Sequence, residues 1–388
     1  MTSLSSPAQR GPAPVGSGPR TEPAAGALRV LILSDAGRGR NGVGVYYDDL
    51  SEQLRERVGA VMLEAPPGDL EAAFEGRRFR MPGDPTQALH LPKVRPVWRR
   101  LKAWQPDVIV AATPWVFGIM ALPLARATGA ALCVGYHTQF DRIADLYWNG
   151  LVTRFARPLF HFWDRVLFRF ADRVLVHNRE LIDDARDGGA RAVTLMGTPA
   201  ASRFLAEPAP AAPDRIDSLV FVGRLAPEKR VDQVIEAARS HPTLAVHVIG
   251  DGPLEGTVRE AAAQLPNLTA HGWVDRPRVL ELLDGADALV LPSRFETFGT
   301  AAYEAMLRRR AVLVSPGCGL IHWPELRPGV FVMGEDEPVS DAIGRLRTAP
   351  ELAAVAEAGC AAARTLNERT LDHWVSVLVD TVYARARS

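Results

Sequence analysis

Short, uninterrupted apolar segments recur along this chain of 388 residues, and a stretch with helical periodicity follows most of them. Apolar runs without polar alternation are typical of strands buried on both faces of a parallel sheet. The predicted strands are 28–33, 106–111, 130–136, 171–177 and 193–196 in the first half, and 218–222, 244–249, 268–270, 286–291 and 311–314 in the second. Two series of alternating strands and helices predict two doubly wound α/β domains.

A Pro/Ala-rich segment at 207–213 separates the two series and predicts a stiff linker. We therefore expect a first domain at 28–206, a linker at 207–216, a second domain at 217–366 and a C-terminal helix at 367–388. Residues 1–27 are rich in Pro, Gly, Ser and Ala and lack the apolar core of a signal peptide, so we expect a disordered arm.

The composition excludes several function classes. Lys and Arg together number 45, as do Asp and Glu, so the formal net charge is zero and does not indicate a nucleic-acid partner. The cysteines, Cys133, Cys318 and Cys360, lack metal-ligand spacing, which indicates a reducing compartment without disulfides. The longest uncharged run, 108–125, contains two prolines and is a poor candidate for a membrane span. We expect a cytoplasmic protein without a bound metal.

One segment has a strong local charge. Between Arg77 and Lys102 there are eight basic residues and one acidic residue, a balance of +7, with Trp98 and Trp104 in or beside the segment. Basic residues mixed with tryptophan suit contact with an anionic membrane surface. The alternative is a solvated helical face, and the residues alone do not separate the two.

Two carboxylates, Glu296 and Glu304, flank a predicted strand–loop–helix junction with Gly299 near the turn. Eight helical positions span about 12 Å, more than the roughly 5 to 9.5 Å between the paired carboxylates of glycosidases. A long ligand bound at both ends fits better, with the N–H groups from Phe298 to Thr300 favouring a diphosphate between them. The alternative is that Glu296 is a residue of the first helical turn whose charge matches the helix dipole, and that Glu304 is simply solvated.

Other candidate residues follow predicted strands. Gly42 lies in a Gly-rich loop after the first strand, and His137 ends another strand, where open α/β sheets bind ligands. Arg224 and Lys229 flank Pro227, a residue suited to a helix start. Each has a simpler alternative. The Gly-rich loop is then an ordinary turn, His137 is a packed histidine, and Arg224 and Lys229 are two surface cations.

In the same order along the chain, four motifs resemble those of the retaining glycosyltransferases of family 4. They are Asn41-Gly42-Val43, Tyr136-His137-Thr138, Gly223-Arg224-Leu225 with Glu228-Lys229, and the E-x7-E pattern from Glu296 to Glu304. This resemblance implies the GT-B fold of two facing Rossmann-like domains. It also implies a C-terminal helix that crosses back to the first domain, matching the amphipathic segment from Thr370 to Ala386.

The same resemblance implies roles for the candidate residues. Arg224 and Lys229 would neutralise the donor diphosphate, Glu304 would bind the ribose hydroxyls, and Glu296 with the amides of Phe298, Gly299 and Thr300 would bind the transferred sugar. Gly42 would let its loop approach the phosphates. His137 would lie near the sugar and the acceptor.

The sequence departs from the family pattern at Arg308-Arg309-Arg310, which could alter packing behind the donor site, and at Met196-Gly197-Thr198-Pro199, near the domain junction. Neither change removes a candidate residue. The hypothesis is a metal-independent retaining transferase that moves a mannose- or glucose-type hexose from a donor such as GDP-mannose or a UDP-hexose to a lipid or glycan acceptor. It would act at the inner face of the membrane. The alternatives are a sugar-nucleotide epimerase or hydrolase, and a non-catalytic binding module.

Overall fold

The computed structural model describes residues 25–36, 42–65, 77–81, 84–113, 116–137, 150–206 and 208–387, with the backbone alone at 77–81, 84–90, 150–157, 160 and 206. The strands of the first half are β1 (Arg29–Leu33), β2 (Ala60–Glu64), β3 (Arg77–Met81), β4 (Asp84–Leu91), β5 (Val108–Ala111), β6 (Ala131–Tyr136), β7 (Arg173–Val176) and β8 (Val193–Leu195). Its helices are α1 (Gly42–Leu54), α2 (Val94–Trp104), α3 (Val116–Thr128), α4 (Gly150–Phe170), α5 (Glu180–Asp187) and α6 (Ser202–Ala206).

The second half continues the alternation. Its strands are β9 (Ser218–Val222), β10 (Ala245–Ile249), β11 (Leu268–Gly272), β12 (Ala288–Leu291), β13 (Ala311–Val314) and β14 (Phe331–Val332). Its helices are α7 (Val231–Ser240), α8 (Glu255–Gln264), α9 (Arg276–Asp284), α10 (Thr300–Leu307), α11 (Val339–Leu346) and α12 (Leu352–Arg387). Short 3-10 turns occur at Ala25–Ala27, Pro227–Lys229, Gly319–His322 and Arg327–Gly329.

Two six-stranded sheets form the centres of two domains. The strand order is β2-β1-β5-β6-β7-β8 in the first sheet and β11-β10-β9-β12-β13-β14 in the second, and neighbouring strands in both are parallel. The prediction of two doubly wound domains is confirmed. The strand order reverses between β1 and β5 and between β9 and β12, and open α/β sheets bind ligands at such switch points.

Both faces of the first sheet are buried, which explains its continuous apolar runs. Val30 and Ile32 of β1 pack on the face covered by α1 and α12, whereas Leu31 and Leu33 pack on the face covered by α2 to α5. Successive side chains of a strand point to opposite faces, so a strand between two helical layers needs apolar residues at every position.

The basic segment is not one helix. Residues Arg77–Met81 and Asp84–Leu91 pair as an antiparallel hairpin, and only Val94–Trp104 of this segment is helical. The alternative of a helical face therefore applies to Val94–Trp104 and not to the hairpin. Strands β2 and β14 were not predicted either. The first has intermediate burial at most positions, and the second spans two residues, so neither gives a strong apolar signal.

Helix α12 joins the two domains. It begins at Leu352, well before the predicted start of the C-terminal helix, and runs for 36 residues. Ala363 and Leu366 pack in the core of the second domain, whereas Leu371 and Trp374 pack in the core of the first. The expected crossing of this helix back to the first domain is confirmed.

The three consecutive arginines contact the segment that links the domains. Arg308, fully buried, donates to the carbonyl oxygen of Pro208 (2.6 Å) and forms an ion pair with Asp284 (2.7 Å). Arg310 donates to the carbonyl oxygen of Ala211. Because Phe204 also lies in the core of the second domain, the chain contacts that domain at Phe204, Pro208 and Ala211.

No helix within the described ranges is both long enough and apolar enough to cross a membrane.

Candidate functional site

The loops after β9 and β12 meet at the switch point of the second sheet. The first loop packs against the loop after β10, where the N–H of Leu225 donates to the carbonyl oxygen of Asp251 (2.8 Å). Gly250 adopts a φ of 137°, and a Cβ there would lie 1.9 Å from the carbonyl oxygen of Gly223. Only glycine permits this close approach, so the backbone around Arg224 is firmly placed.

One of the predicted cations, Lys229, lies beside the predicted carboxylate Glu296. The Nζ of Lys229 forms an ion pair with Glu296 in which the two side chains are 16% and 22% exposed, and Ser293 lies 3.4 Å from the same carboxylate oxygen. Arg224, also partly exposed, points one guanidinium nitrogen to within 3.9 Å of Glu228. The N–H of Arg294 donates to the carbonyl oxygen of Glu228 (2.8 Å), which joins the two loops.

The backbone of Glu296 is fixed on both sides. Its N–H donates to the carbonyl oxygen of Gly317 (3.0 Å), and its own carbonyl oxygen accepts from Gly319 (2.8 Å). Gly299, with a φ of 99°, precedes Thr300, the first residue of α10. The structure therefore confirms the predicted strand–loop–helix junction. It places the amides of Phe298, Gly299 and Thr300 at a helix start, where an anion is favoured.

Glu304 lies in a different environment from Glu296. It is 3% exposed, and its Oε1 lies 2.7 Å from Nη2 of Arg276. The same nitrogen donates to Asp49 (3.1 Å), a buried residue of α1 in the first domain. Arg276 therefore bridges two carboxylates from different domains, and its guanidinium also lies over the ring of Phe204.

Burial controls the protonation of this bridge. It raises the pKa of Asp49 to about 8, against the opposing effect of Arg276, while Glu304, Asp48 and Glu52 raise it further. Burial also raises the pKa of Glu304, again against Arg276. Two carboxylates share one guanidinium here, and a proton on one of them leaves the buried cluster neutral.

His137 lies in an aromatic cluster of the first domain. Its Nε2 is 2.8 Å from the hydroxyl of Tyr47, and its ring stacks on that of His177 with 4.1 Å between centroids. Tyr46 contacts both histidines edge-on and accepts a hydrogen bond from Trp374 of α12 (3.0 Å).

The cluster keeps both histidines neutral. Burial lowers the pKa of His137 well below its ordinary value, and the neighbouring His177 lowers it further. Burial also lowers the pKa of His177 to about 3. Near neutral pH, His137 therefore has one N–H donor and one acceptor nitrogen and carries no charge.

The two halves of the candidate site meet directly. The hydroxyl of Thr297, next to Glu296, donates to the carbonyl oxygen of His137 (2.9 Å). Gly42 is the exposed first residue of α1, the helix that also carries Asp49. The predicted neighbours Asn41 and Thr138 lie outside the described residues.

Several residues of this region were not predicted. His177 follows β7 as His137 follows β6, so the rule that polar residues after parallel strands face the ligand cleft would have found it. Tyr46 and Tyr47 lie on an ordinary-looking amphipathic helix. Arg276 and Asp49 carry no sequence signal, because their contact joins residues 227 positions apart in two domains.

Two known families each match part of this chain. Residues 40–195 match the family described as Glycosyltransferase Family 4, and residues 206–323 match that described as Glycosyl transferases group 1. A GDP-mannose-dependent alpha-mannosyltransferase of Mycobacterium tuberculosis (strain CDC 1551 / Oshkosh) is 28% identical over 312 residues, or 75% of this chain and 80% of the relative.

Solved structures share the fold. A sucrose-phosphate synthase from Thermosynechococcus elongatus superposes with a TM-score of 0.69 at 16% identity, covering 92% of this chain and 99% of the other. Anabaena HepE in complex with UDP-glucose superposes with a TM-score of 0.63 at 16% identity, covering 90% and 100%. At such identities the likeness shows the fold, which is GT-B.

Proposed function

Because this chain is a GT-B glycosyltransferase similar to family 4, we propose that it moves a mannose- or glucose-type hexose from a nucleotide-diphosphate sugar to a lipid or glycan acceptor, with retention of configuration and without a metal ion. The observation that carries the proposal is the grouping of Arg224, Lys229 and Glu296 at the ends of β9 and β12. Cations and helix amides at a switch point suit a diphosphate.

The division of labour follows from charge. A nucleoside diphosphate gains negative charge as it leaves, and preorganised donors stabilise that charge where it develops. Arg224 offers a planar fork to phosphate oxygens, whereas Lys229 acts as a point charge oriented by Glu296. Neutral His137 offers a hydrogen bond to the sugar from the opposite domain. In this proposal the acceptor attacks on the face that the diphosphate leaves, through an oxocarbenium-like state.

A thermal-shift panel of GDP, UDP, ADP and their hexose conjugates tests the donor. We expect one base to stabilise the protein, by about 2.7 kcal/mol at a ligand concentration of 100 Kd. The relative is named for GDP-mannose and the structural neighbour was solved with UDP-glucose, so these two donors come first. Addition of EDTA should leave the shift unchanged.

Variants make the panel specific to the site. Lys229→Ala and Arg224→Lys should lose most of the shift, because the first removes a charge and the second removes the planar fork. Arg215→Lys, at an exposed ion pair with Asp217, is the matched control and should retain it. If no nucleotide shifts the melting temperature of the wild type, the proposal is wrong. Release of free sugar or an epimer as the main product would favour the hydrolase or epimerase alternative.

For the acceptor, we propose a site at an anionic membrane surface. Helix α2 exposes Val94 beside Arg95, Arg99, Arg100 and Lys102, and Leu91 before it is also exposed. Helix α4, on the same layer of the domain, exposes Leu159 and Phe162. Exposed apolar side chains among basic ones suit a membrane interface, where each basic residue contributes about 1 kcal/mol.

Vesicle sedimentation tests this surface. Replacing Arg95, Arg99, Arg100 and Lys102 together by glutamine should release the protein from vesicles that contain anionic lipid. The control removes four exposed arginines elsewhere, Arg186, Arg239, Arg259 and Arg327, and should leave binding intact. Equal sedimentation of the two variants would contradict the membrane proposal.

A further inference from the structure

The hydroxyl of Tyr47 is enclosed in the first domain and has one hydrogen-bond partner among the residues that the structure describes. The side chain is fully buried, and its oxygen lies 2.8 Å from Nε2 of His137. Burial raises the pKa of Tyr47, and the nearby thiol of Cys133 raises it further, so the hydroxyl keeps its proton. A buried hydroxyl hydrogen needs an acceptor. Sulfur is a weak acceptor, so the imidazole nitrogen is the atom that suits this hydrogen.

The neighbouring Tyr46 shows how a buried hydroxyl on the same helix is satisfied. Its oxygen accepts from Nε1 of Trp374 (3.0 Å), and its hydrogen goes to the carbonyl oxygen of Gly197 (2.9 Å). In the described part of the chain, the hydroxyl of Tyr47 has no carbonyl acceptor of this kind. If it only accepted from an Nε2–H group, its own hydrogen would stay buried and unpaired, a loss that folded proteins avoid.

The imidazole of His137 is held so that its two nitrogens face different surroundings. A Cβ at Gly135 would lie 3.0 Å from Nε2 and 3.4 Å from Cδ2, so this edge of the ring faces the backbone of β6. One face of the ring stacks on His177 with the two planes 13° apart, and Tyr46 contacts the ring edge-on. Nδ1 therefore lies on the edge turned away from Tyr47 and from β6.

A neutral imidazole carries one ring hydrogen, so the hydrogen bond at one nitrogen determines the state of the other. His137 is neutral near pH 7, because burial lowers its pKa. If Nε2 accepts from Tyr47, the ring hydrogen has to be on Nδ1. Free histidine favours the opposite form, with the hydrogen on Nε2, so the enclosed hydroxyl of Tyr47 would reverse the ordinary preference.

We propose that Tyr47 is a positioning residue that donates a hydrogen bond to Nε2 of His137 and thereby holds this histidine in its Nδ1–H tautomer. In this state the edge that bears Nδ1 is a hydrogen-bond donor only. It suits an oxygen that accepts, such as a hydroxyl or phosphate oxygen of the sugar donor, and it cannot remove a proton from the acceptor. The tautomer follows from the geometry alone, whereas its effect on transfer rests on the proposed function.

Nitrogen-15 NMR tests the tautomer in the protein without substrate. In a sample with 15N-labelled histidine at pH 7.5, long-range proton–nitrogen correlations distinguish a protonated ring nitrogen from one that only accepts. The variant His137→Gln identifies the signals of His137 among those of the nine histidines. We expect a protonated Nδ1 and an accepting Nε2 in the wild type. Protonation of Nε2, alone or together with Nδ1, would overturn the proposal.

Variants show whether Tyr47 is the cause. Tyr47→Phe removes the donor and keeps the ring, so the signals of His137 should change to the Nε2–H form or to a mixture of both forms. Gly135→Ala separates the two groups and should give the same change. Tyr46→Phe is the matched control, because it removes a buried hydroxyl from the adjacent position and should leave Nδ1 protonated. An unchanged tautomer in Tyr47→Phe, or an equal change in Tyr46→Phe, would contradict the positioning role.

Addition of a sugar donor connects the tautomer to the proposed reaction. The probes are GDP-mannose and UDP-glucose. The one that raises the melting temperature should shift the Nδ1 signal of His137 and leave Nε2 as the accepting nitrogen. An unchanged Nδ1 signal, or movement of the ring hydrogen to Nε2, would rule out the role of this tautomer in donor binding. If neither probe raises the melting temperature, the transferase proposal is wrong, while the spectrum of the protein without substrate still decides the tautomer.

Discussion

The hydroxyl of Tyr47 reaches His137 only because residue 135 is glycine. A Cβ at Gly135 would lie 2.3 Å from the Tyr47 hydroxyl oxygen and 3.0 Å from Nε2 of His137. The first distance is too short for a carbon atom and the second is tight, and Tyr47 is fully buried with little room to move. The hydrogen bond that orients His137 therefore requires a residue without a side chain at position 135 of β6.

Gly135→Ala should separate Tyr47 from His137. We expect a loss of stability of about 1 to 3 kcal/mol from overpacking, together with at least a tenfold loss of kcat/KM as His137 loses its orientation. Urea unfolding and steady-state transfer assays measure the two effects.

Gly256→Ala in α8 is the matched control. Nothing lies within 4 Å of a Cβ at that position. Alanine is favoured over glycine in a helix, so we expect a gain of up to about 1 kcal/mol and unchanged transfer. If both alanine variants retained activity, the bond between Tyr47 and His137 would be unimportant for the reaction.

Sequence reasoning found the residues whose roles depend on local position. His137, Arg224 and Glu296 each follow a strand that can be read from its apolar run, so their placement at the sheet edge was predictable. Asp49 was not, because nothing in helix α1 indicates that an acidic side chain turns inward to meet Arg276. Its partner is supplied by another domain, and periodicity does not report such contacts.

Among the structural elements, the arginine-rich turn after α10 is partly buried, although its charge suggests a surface segment. Three consecutive basic residues suggest a solvated surface. Instead, Arg308 is buried and binds the chain that leads into the second domain, while Arg309 between its neighbours is partly exposed and pairs with Glu357. The turn stabilises the junction where α6 meets β9.

Arg308→Ala should destabilise the protein by about 3 kcal/mol, because it leaves Asp284 and a carbonyl oxygen without their buried partner. Arg309→Ala is the control from the adjacent position, and an exposed ion pair there contributes only about 0 to 1 kcal/mol. Equal urea midpoints for the two variants would contradict this role for the turn.

The element pattern also shows where sequence prediction ends. Central strands such as β9 and β13 were located to the residue, because both faces are covered and every position except Ser218 is apolar. The hairpin of β3 and β4 was missed because its arginine-rich first strand has no apolar alternation. Pairing with a neighbour, and not hydrophobic burial, defines such a strand, and pairing is not visible in a single segment.

At the scale of the whole molecule, Asp49, Arg276 and Glu304 connect the domains and make stability depend on pH. The pKa of Asp49 in the folded protein, about 8, lies above its ordinary value of 3.8. Between about pH 4 and pH 8, the folded state therefore keeps a proton that the unfolded state has already released. The stabilisation from this proton is complete below pH 4 and is lost as the pH rises through 8.

Asp49→Asn should weaken this dependence, because an amide cannot release the proton while it still accepts from Arg276. We expect the free energy of unfolding to fall less steeply from pH 5 to pH 8 in the variant than in the wild type. Urea titrations at four pH values measure the slope, and Asp372→Asn at an exposed ion pair is the control. Parallel curves for wild type and Asp49→Asn would rule out a buried proton at this junction.

Helix α12 also determines the order in which the molecule can be completed during synthesis. Trp374 is joined to Tyr46 across 328 positions of sequence, so the ribosome makes the first sheet long before the helix that covers one of its faces. Until then Val30, Ile32 and Leu50 lack part of their apolar partners. The first domain therefore remains unfinished while the second is translated, and the nascent chain needs protection from aggregation during that interval.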